Sequence, residues 1–367
     1  MEIVICISVI ALFLTYLESS GQLRNGMAIG FVLLTTLGAI HYDYGNDYMS
    51  YVSIYDTVTN RPFSWQEIFD GVYYREPGWV LLCWLFKPIG GFFMLVAVLS
   101  ILQNYIVYRI ISRYVKKSWW TFAIFIYIFV ATFYLLSFSM MRQSLVMYVF
   151  LGLWPLISQR KWVVPLIILY ICSFIHSSAF VLLPFVFWGY LPMKNGWLIG
   201  TIYLALLLAL WFSQSLLGDI FTAAAENEVV GDYAKTYKIS AQQTQSLQLG
   251  LGFVIHTIPL ILSIRFLILA GDNYTADKKS LVALALIANL ITPFASISPL
   301  IGRISSYFMT YNIVSLPIVY GFIKNINARR LFLGLYVLIT LYSYRLFFSS
   351  EIWVDKYTVF HTIFSQL

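Results

Sequence analysis

Residues 119–158 read WWTFAIFIYIFVATFYLLSFSMMRQSLVMYVFLGLWPLIS, forty residues in which Arg142 is the single charge. About 20 apolar residues suffice to cross a bilayer, so the stretch has room for two passes. An arginine in hydrocarbon costs about 2.5–3.5 kcal/mol even on lenient insertion scales. The guanidinium must therefore face protein, headgroups or a wet cavity, which makes Arg142 a candidate functional residue.

The rest of the chain is of the same kind. Of its 367 residues 60% are hydrophobic, 18% aromatic and only 11% charged, against about 25% charged in a soluble domain. Apolar runs near 1–17, 27–40, 91–112, 119–139, 143–158, 162–175, 178–190, 197–217, 248–266, 281–300, 304–323 and 331–349 predict an all-α, polytopic transmembrane bundle. About 12 spans are expected, some short or broken, around a cavity at the outer face. The first run starts Met-Glu, with no basic leader and no small-x-small cleavage site, and is expected to be a retained span.

A net charge of +7 would suit nucleic acid only if the basic residues formed a patch. They lie instead in short clusters between spans. Alternating the loops puts Arg24, Arg109, Arg113, Lys116, Lys117, Arg160, Lys161, Lys194, Arg265, Lys278, Lys279, Lys324, Arg329 and Arg330 on one face. These are 14 of the 23 basic residues, accompanied by three of the 16 acidic ones (Glu18, Asp272 and Asp277). The positive-inside rule makes that face cytoplasmic. Preserving the asymmetry requires a turn within residues 162–190, at Phe174-Ile175-His176-Ser177-Ser178. One membrane domain over 1–367 is expected, with two larger outer loops at about 41–90 and 218–247. Cys6, Cys83 and Cys172 all lie in apolar runs, with neither a disulfide framework nor a CxxC metal pattern.

The unusual polar residues then share the outer side. Arg142 opens a span, His176 sits at the turn, and Arg303 follows Ser298-Pro299-Leu300-Ile301-Gly302. A helix N-terminus carries roughly half a positive charge. An arginine there adds to it, which suits an anion such as phosphate held by backbone N–H groups and a forked guanidinium. Snorkelling to headgroups is the alternative for Arg142 and Arg303. His176 is either a proton acceptor or a structural histidine with Ser177 and Ser178 as helix caps.

In the first outer loop, Gly45-Asn46 predicts a turn and a helix start, with Asp47 on the first turn. Tyr48, Tyr51 and Tyr55 would form a stripe that either stacks on sugars or packs at the membrane interface, and spacing alone favours the interface. Asp43 and Asp47 lack a third ligand at metal spacing, so neither a metal nor a cofactor is expected. Glu76 in Tyr74-Arg75-Glu76-Pro77-Gly78 precedes an apolar segment, 79–86, too short to cross, which would form one wall of a site. The second outer loop and the tail Glu351-Ile352-Trp353-Val354-Asp355-Lys356-Tyr357 carry no motif that favours a function.

In order, Tyr42-Asp43-Tyr44-Gly45-Asn46-Asp47-Tyr48 with Tyr51, Glu76-Pro77-Gly78, Met141-Arg142-Gln143, Phe174-Ile175-His176-Ser177-Ser178-Ala179, and Arg303 with Tyr307 resemble the EpsG branch of the Wzy-type polysaccharide polymerases, over roughly residues 30–316. The resemblance implies a multi-pass enzyme of the bacterial inner membrane, with its site toward the periplasm. It would transfer a growing glycan from a lipid diphosphate to a sugar hydroxyl of the next lipid-linked unit. Its implied partners are undecaprenyl-diphosphate-linked oligosaccharides, membrane lipids, a chain-length regulator and a flippase, with no nucleic acid. The family pattern carries over to Asp47, Tyr48, Tyr51, Glu76, Arg142, Gln143, His176, Arg303 and Tyr307; His41 stands where the family often has arginine.

The residue chemistry suits such a transfer. Arg142, then Arg303, would stabilise the departing diphosphate, with Gln143, Tyr48, Tyr51, Arg75 and Tyr307 as substrate contacts. Asp47, Glu76 and His176 are the candidates to orient or deprotonate the acceptor hydroxyl. Two other classes fit a broken-helix membrane protein: a flippase for a lipid-linked anionic saccharide and an O-acyltransferase with His176 as base. A flippase should present charges from both sides or at midplane, and an acyltransferase needs a donor site that the inner loops do not suggest.

Overall fold

A computed structural model describes residues 1–191, 196–213, 251–295, 299–349, 351 and 353–366. The expected outer loop 218–247 lies outside the described residues. Two compact units are present, one formed by Met1–Trp188 with Thr340–Leu367 and the other by Gly189–Ile339.

In the first unit α1 (Glu2–Ser19) packs on α2 (Gly26–Ile40), which packs on α6 (Gly91–Tyr114). The first outer loop is not irregular. It folds into a two-residue strand β1 (His41–Tyr42), α3 (Tyr48–Thr59), α4 (Trp65–Phe69) and α5 (Pro77–Phe86). The helix start expected after Gly45-Asn46 is there, with Asp47 at the N-cap position just before α3 rather than on its first turn.

The continuous span expected at 119–139 is replaced by α7 (Trp120–Phe129), followed by turns and one 3₁₀ turn (Leu136–Phe138) up to α8 (Met141–Gly152). Every side chain from Phe122 to Phe129 is buried, as are Phe133, Tyr134, Leu135 and Phe138 beyond it. Irregular backbone at membrane depth is tolerated only where protein covers it, and here it is covered and bonded. Tyr134 donates to the Leu34 carbonyl at 2.6 Å, and Leu136 N–H to the Ala131 carbonyl at 3.0 Å. A buried polar network ties this region to α6: Gln103 donates to the Tyr127 and Ser137 hydroxyls at 2.9 and 3.1 Å, and Tyr127 donates to Asn104 at 2.9 Å.

Among the described residues three helices are long and apolar enough to cross a membrane: α1, α6 and Ile326–Ser349. The expected number of about 12 spans is therefore not reproduced as 12 long helices. Several of the others are apolar helices of 10–17 residues. After α9 (Trp154–Ser158), residues 162–190 divide as the charge asymmetry required. Helix α10 (Val163–Ile175) ends at His176, whose backbone is extended (φ −149°, ψ 108°), and Ser177–Tyr190 is a 3₁₀ helix. Two ion pairs join separate parts of this unit: Lys117 lies 3.8 Å from Glu18, and Lys356 3.0 Å from Asp43.

The second unit contains α11 (Gly196–Phe212), α12 (Leu251–Leu269), α13 (Ala276–Ile291), α14 (Pro299–Met309), α15 (Asn312–Phe322) and the start of α16 (Ile326–Ser349). The span expected at 304–323 is two helices broken at Thr310–Tyr311. Helix α13 is buried on all sides over most of its length and α15 likewise, so each is a core helix of this unit. Asn289 on α13 and Asn312 on α15 exchange amide hydrogen bonds at 3.4 and 3.1 Å, and Ser315 donates to Asn312 Oδ1 at 3.1 Å.

Either Asn289→Leu or Asn312→Leu should lower stability by about 1 kcal/mol, because each leaves an unpaired buried amide. The double substitution should recover part of the loss. Thermal unfolding in detergent, with loss of the double equal to the sum of the singles, would show the pair to be uncoupled.

Candidate active site

The site is built from the residue the sequence marks first. Arg142 lies in the first turn of α8, and its guanidinium turns into the protein rather than toward headgroups. Nη1 donates to Glu76 Oε2, and Nε donates to the Tyr51 hydroxyl at 3.4 Å. The cation lies between two aromatic rings, 5.3 Å from the Tyr51 centroid and 4.9 Å from that of Tyr74. Snorkelling does not describe this side chain. The anion that a doubly positive helix start calls for is supplied, in the first instance, by the protein's own Glu76.

Glu76 is the hub. It is 2% exposed, and its other oxygen, Oε1, accepts from Ser177 N–H at 2.9 Å and from the Ser177 hydroxyl at 3.3 Å. His176 Nδ1 stands 3.3 Å from the same oxygen. A buried carboxylate is tolerable only when paired and hydrogen-bonded, and here four groups from two parts of the chain, Arg142 and His176–Ser177, converge on it. Of the three ionisable side chains, Arg142 is the most open, at 17% exposure against 3% for Glu76 and 5% for His176.

Local backbone explains the convergence. Glu76 is extended (φ −107°, ψ 98°) ahead of Pro77, which begins α5. Alternation along extended chain sends Tyr74 and Glu76 to one side and Arg75 to the other. Tyr74 and Glu76 accordingly meet Arg142, while Arg75 is exposed. Gly78 is required by proximity: a Cβ there would come within 2.8 Å of the Phe174 carbonyl carbon and 2.9 Å of Ile175 N. That approach of α5 to the end of α10 is what brings Glu76 to His176 and Ser177.

The tyrosine stripe is corrected by its packing. Tyr48, Tyr51 and Tyr55 are 0%, 4% and 8% exposed and belong to one core with Trp79, Phe86 and Phe92. They face inward instead of the membrane interface, and only Tyr51 reaches Arg142 among the contacts described. Tyr48 packs edge-on against His41 and Phe92. Asp47 is exposed, one turn before Tyr51 on α3, and its N–H donates to the Ser139 hydroxyl at 3.1 Å. Gln143 follows Arg142 on α8 and is 2% exposed.

His41 is buried, with Nδ1 2.6 Å from the Gly38 carbonyl; burial pushes its imidazole down to about 4. A phosphate-binding cation is not what this residue supplies. Asp43 pairs with Lys356, and among the described residues no three His, Cys, Asp or Glu side chains gather as a metal site would require.

Arg303 and Tyr307 belong to the second unit. Helix α14 begins at Pro299, a residue preset for a first helical turn. Arg303 is thus in the second turn, half-buried, rather than at a helix start, and Tyr307 is fully buried one turn later. Tyr74 and Ser177 are members of the site that sequence reasoning missed. The available signals were the two-residue spacing from Tyr74 to Glu76 and the adjacency of Ser177 to His176.

Composition, helix content and the three long apolar helices define a helical membrane protein. The EpsG family model matches residues 27–360, and the chain belongs to that family, which is implicated in exopolysaccharide synthesis. No curated protein and no solved structure matches the chain.

Glu76→Leu and Arg142→Met should each destabilise the protein by about 3–5 kcal/mol, because each strands a buried charge. The double variant should cost clearly less than the sum. A double-mutant cycle read by thermal unfolding checks this; additive losses would mean that the two side chains act independently.

Proposed function

We propose that the chain is a glycosyltransferase that polymerises lipid-diphosphate-linked oligosaccharide repeat units at the outer face of the bacterial inner membrane. The observation that carries this is the cluster of Arg142, Glu76 and His176, which combines a cation for a leaving anion with a base for an attacking hydroxyl. Family membership supports the same direction.

In the proposed step the acceptor hydroxyl oxygen attacks the anomeric carbon of the growing glycan. The bond from that carbon to the diphosphate breaks, and the electron pair leaves on phosphate oxygen. Arg142, the most open member of the cluster, lowers the energy of that developing charge. Its position between two tyrosine rings and against Glu76 fixes the guanidinium before substrate arrives, so little reorganisation accompanies the reaction.

Glu76 is better suited to position than to deprotonate. Its oxygens are already engaged by Arg142 and Ser177, and it is buried. Facing His176 Nδ1, it favours the tautomer with a proton on that nitrogen and orients the ring, and His176 is the proposed acceptor of the hydroxyl proton. A single displacement of this kind inverts the anomeric carbon. The lipid carrier is undecaprenyl diphosphate in this proposal, and a flippase and a chain-length regulator are the expected partner proteins. Asp47 is a proposed contact that orients the acceptor hydroxyl.

Purified protein given synthetic lipid-diphosphate repeat units should produce a glycan ladder. Arg142→Ala should reduce it by roughly 10²–10³-fold, and Arg142→Lys should restore little of it, because an ammonium lacks the planar fork. His176→Ala should cost roughly 10²–10⁴-fold. Absence of a ladder from wild-type protein with the correct unit, together with its translocation across liposomes, would favour a flippase instead.

A further inference from the structure

We propose that the C-terminal segment around Lys356 and Tyr357 is a positioning element for the site, holding in register the two stretches of chain that deliver Tyr51 and Arg142. This rests on the proposed transferase function only where activity is measured. The segment is a short helix, α17 (Val354–Tyr357), followed by β2 (His361–Thr362).

It grips the first outer loop at four points. Strand β2 pairs antiparallel with β1, His41 opposite Thr362 and Tyr42 opposite His361. The Lys356 carbonyl accepts from Gly45 N–H at 3.1 Å, and Lys356 Nζ donates to both Asp43 oxygens at 3.0 and 3.2 Å. Tyr357 is fully buried, its ring 4.9 Å from that of Tyr44. The loop it holds is constrained backbone: Asp43 has φ +41° and Gly45 φ +117°. A non-glycine residue at positive φ persists only where its surroundings over-determine it, and the two-oxygen contact from Lys356 is such a constraint.

The same segment reaches the approach to α8. The Tyr357 hydroxyl donates to the Leu135 carbonyl at 3.2 Å, and Tyr44 packs edge-on against Phe138. Asp47 N–H then joins the loop to Ser139, and a Cβ on Gly45 would come within 2.9 Å of Ser139 N. Three residues past Ser139 is Arg142; four past Asp47 is Tyr51. The tail therefore fixes the starts of both α3 and α8, and with them the contact between Tyr51 and Arg142.

The test uses full-length protein in lipid nanodiscs. Lys356→Glu should slow chain extension at saturating substrate by roughly ten- to hundredfold with little change in KM or thermal midpoint. It should also speed amide hydrogen exchange in residues 44–51 and 135–142. Lys356→Arg should behave as wild type, and Asp43→Lys combined with Lys356→Glu should recover rate and protection. Wild-type rate and protection in Lys356→Glu would overturn the proposal. So would a rate loss that tracks a fall in thermal midpoint or that the exchanged pair fails to recover. If wild-type protein makes no ladder, the transferase function fails while the exchange measurement still decides the role of the tail.

Discussion

The contact between Glu76 and Arg142 governs how the first unit is put together. Neither charge could be buried alone, and each is delivered by a different part of the chain. Satisfying them obliges the first outer loop to fold back on the start of α8 and the end of α10. Pro77, Gly78 and the extended backbone at Glu76 follow from that obligation. So does the tyrosine core beneath it, because Tyr51 must be buried to lie against the guanidinium.

A cation held by its own counter-ion is a different device from a bare arginine waiting for phosphate. The pair is pre-formed and neutral overall, which lowers the cost of keeping the site assembled without substrate. An incoming diphosphate would share the guanidinium with Glu76 instead of neutralising an isolated charge. The second consequence concerns His176. Its nearest carboxylate is the one that also holds Arg142, so the electrostatics of leaving group and base are joined through one side chain.

Much of this site was legible in the sequence because charge in an apolar run is conspicuous. Arg142 and His176 stand out for that reason and Glu76 by its place before Pro77-Gly78 and a short apolar segment, and the positive-inside argument put all three on one expected side of the membrane. The helix break at His176 was legible from charge asymmetry too. Other features were not, for identifiable causes. The tyrosine spacing gave a stripe but not its direction, since a buried and an interfacial stripe share one periodicity. Helix lengths such as that of α7 are decided by what covers the chain at 130–140, which is tertiary. The start of α14 at Pro299 moved Arg303 into a helix interior. Lys356 and Asp43 are separated by most of the chain, and no local pattern links them.

The 3₁₀ geometry of residues Ser177–Tyr190 alters how far a short apolar segment extends. At about 2.0 Å per residue its 14 residues reach about 28 Å, where an α-helix of that length would reach about 21 Å. The hydrocarbon layer is about 30 Å thick. Thresholds for a crossing segment assume the α-helical rise, so a run that such a threshold would discard as too short can have nearly the full thickness within its reach.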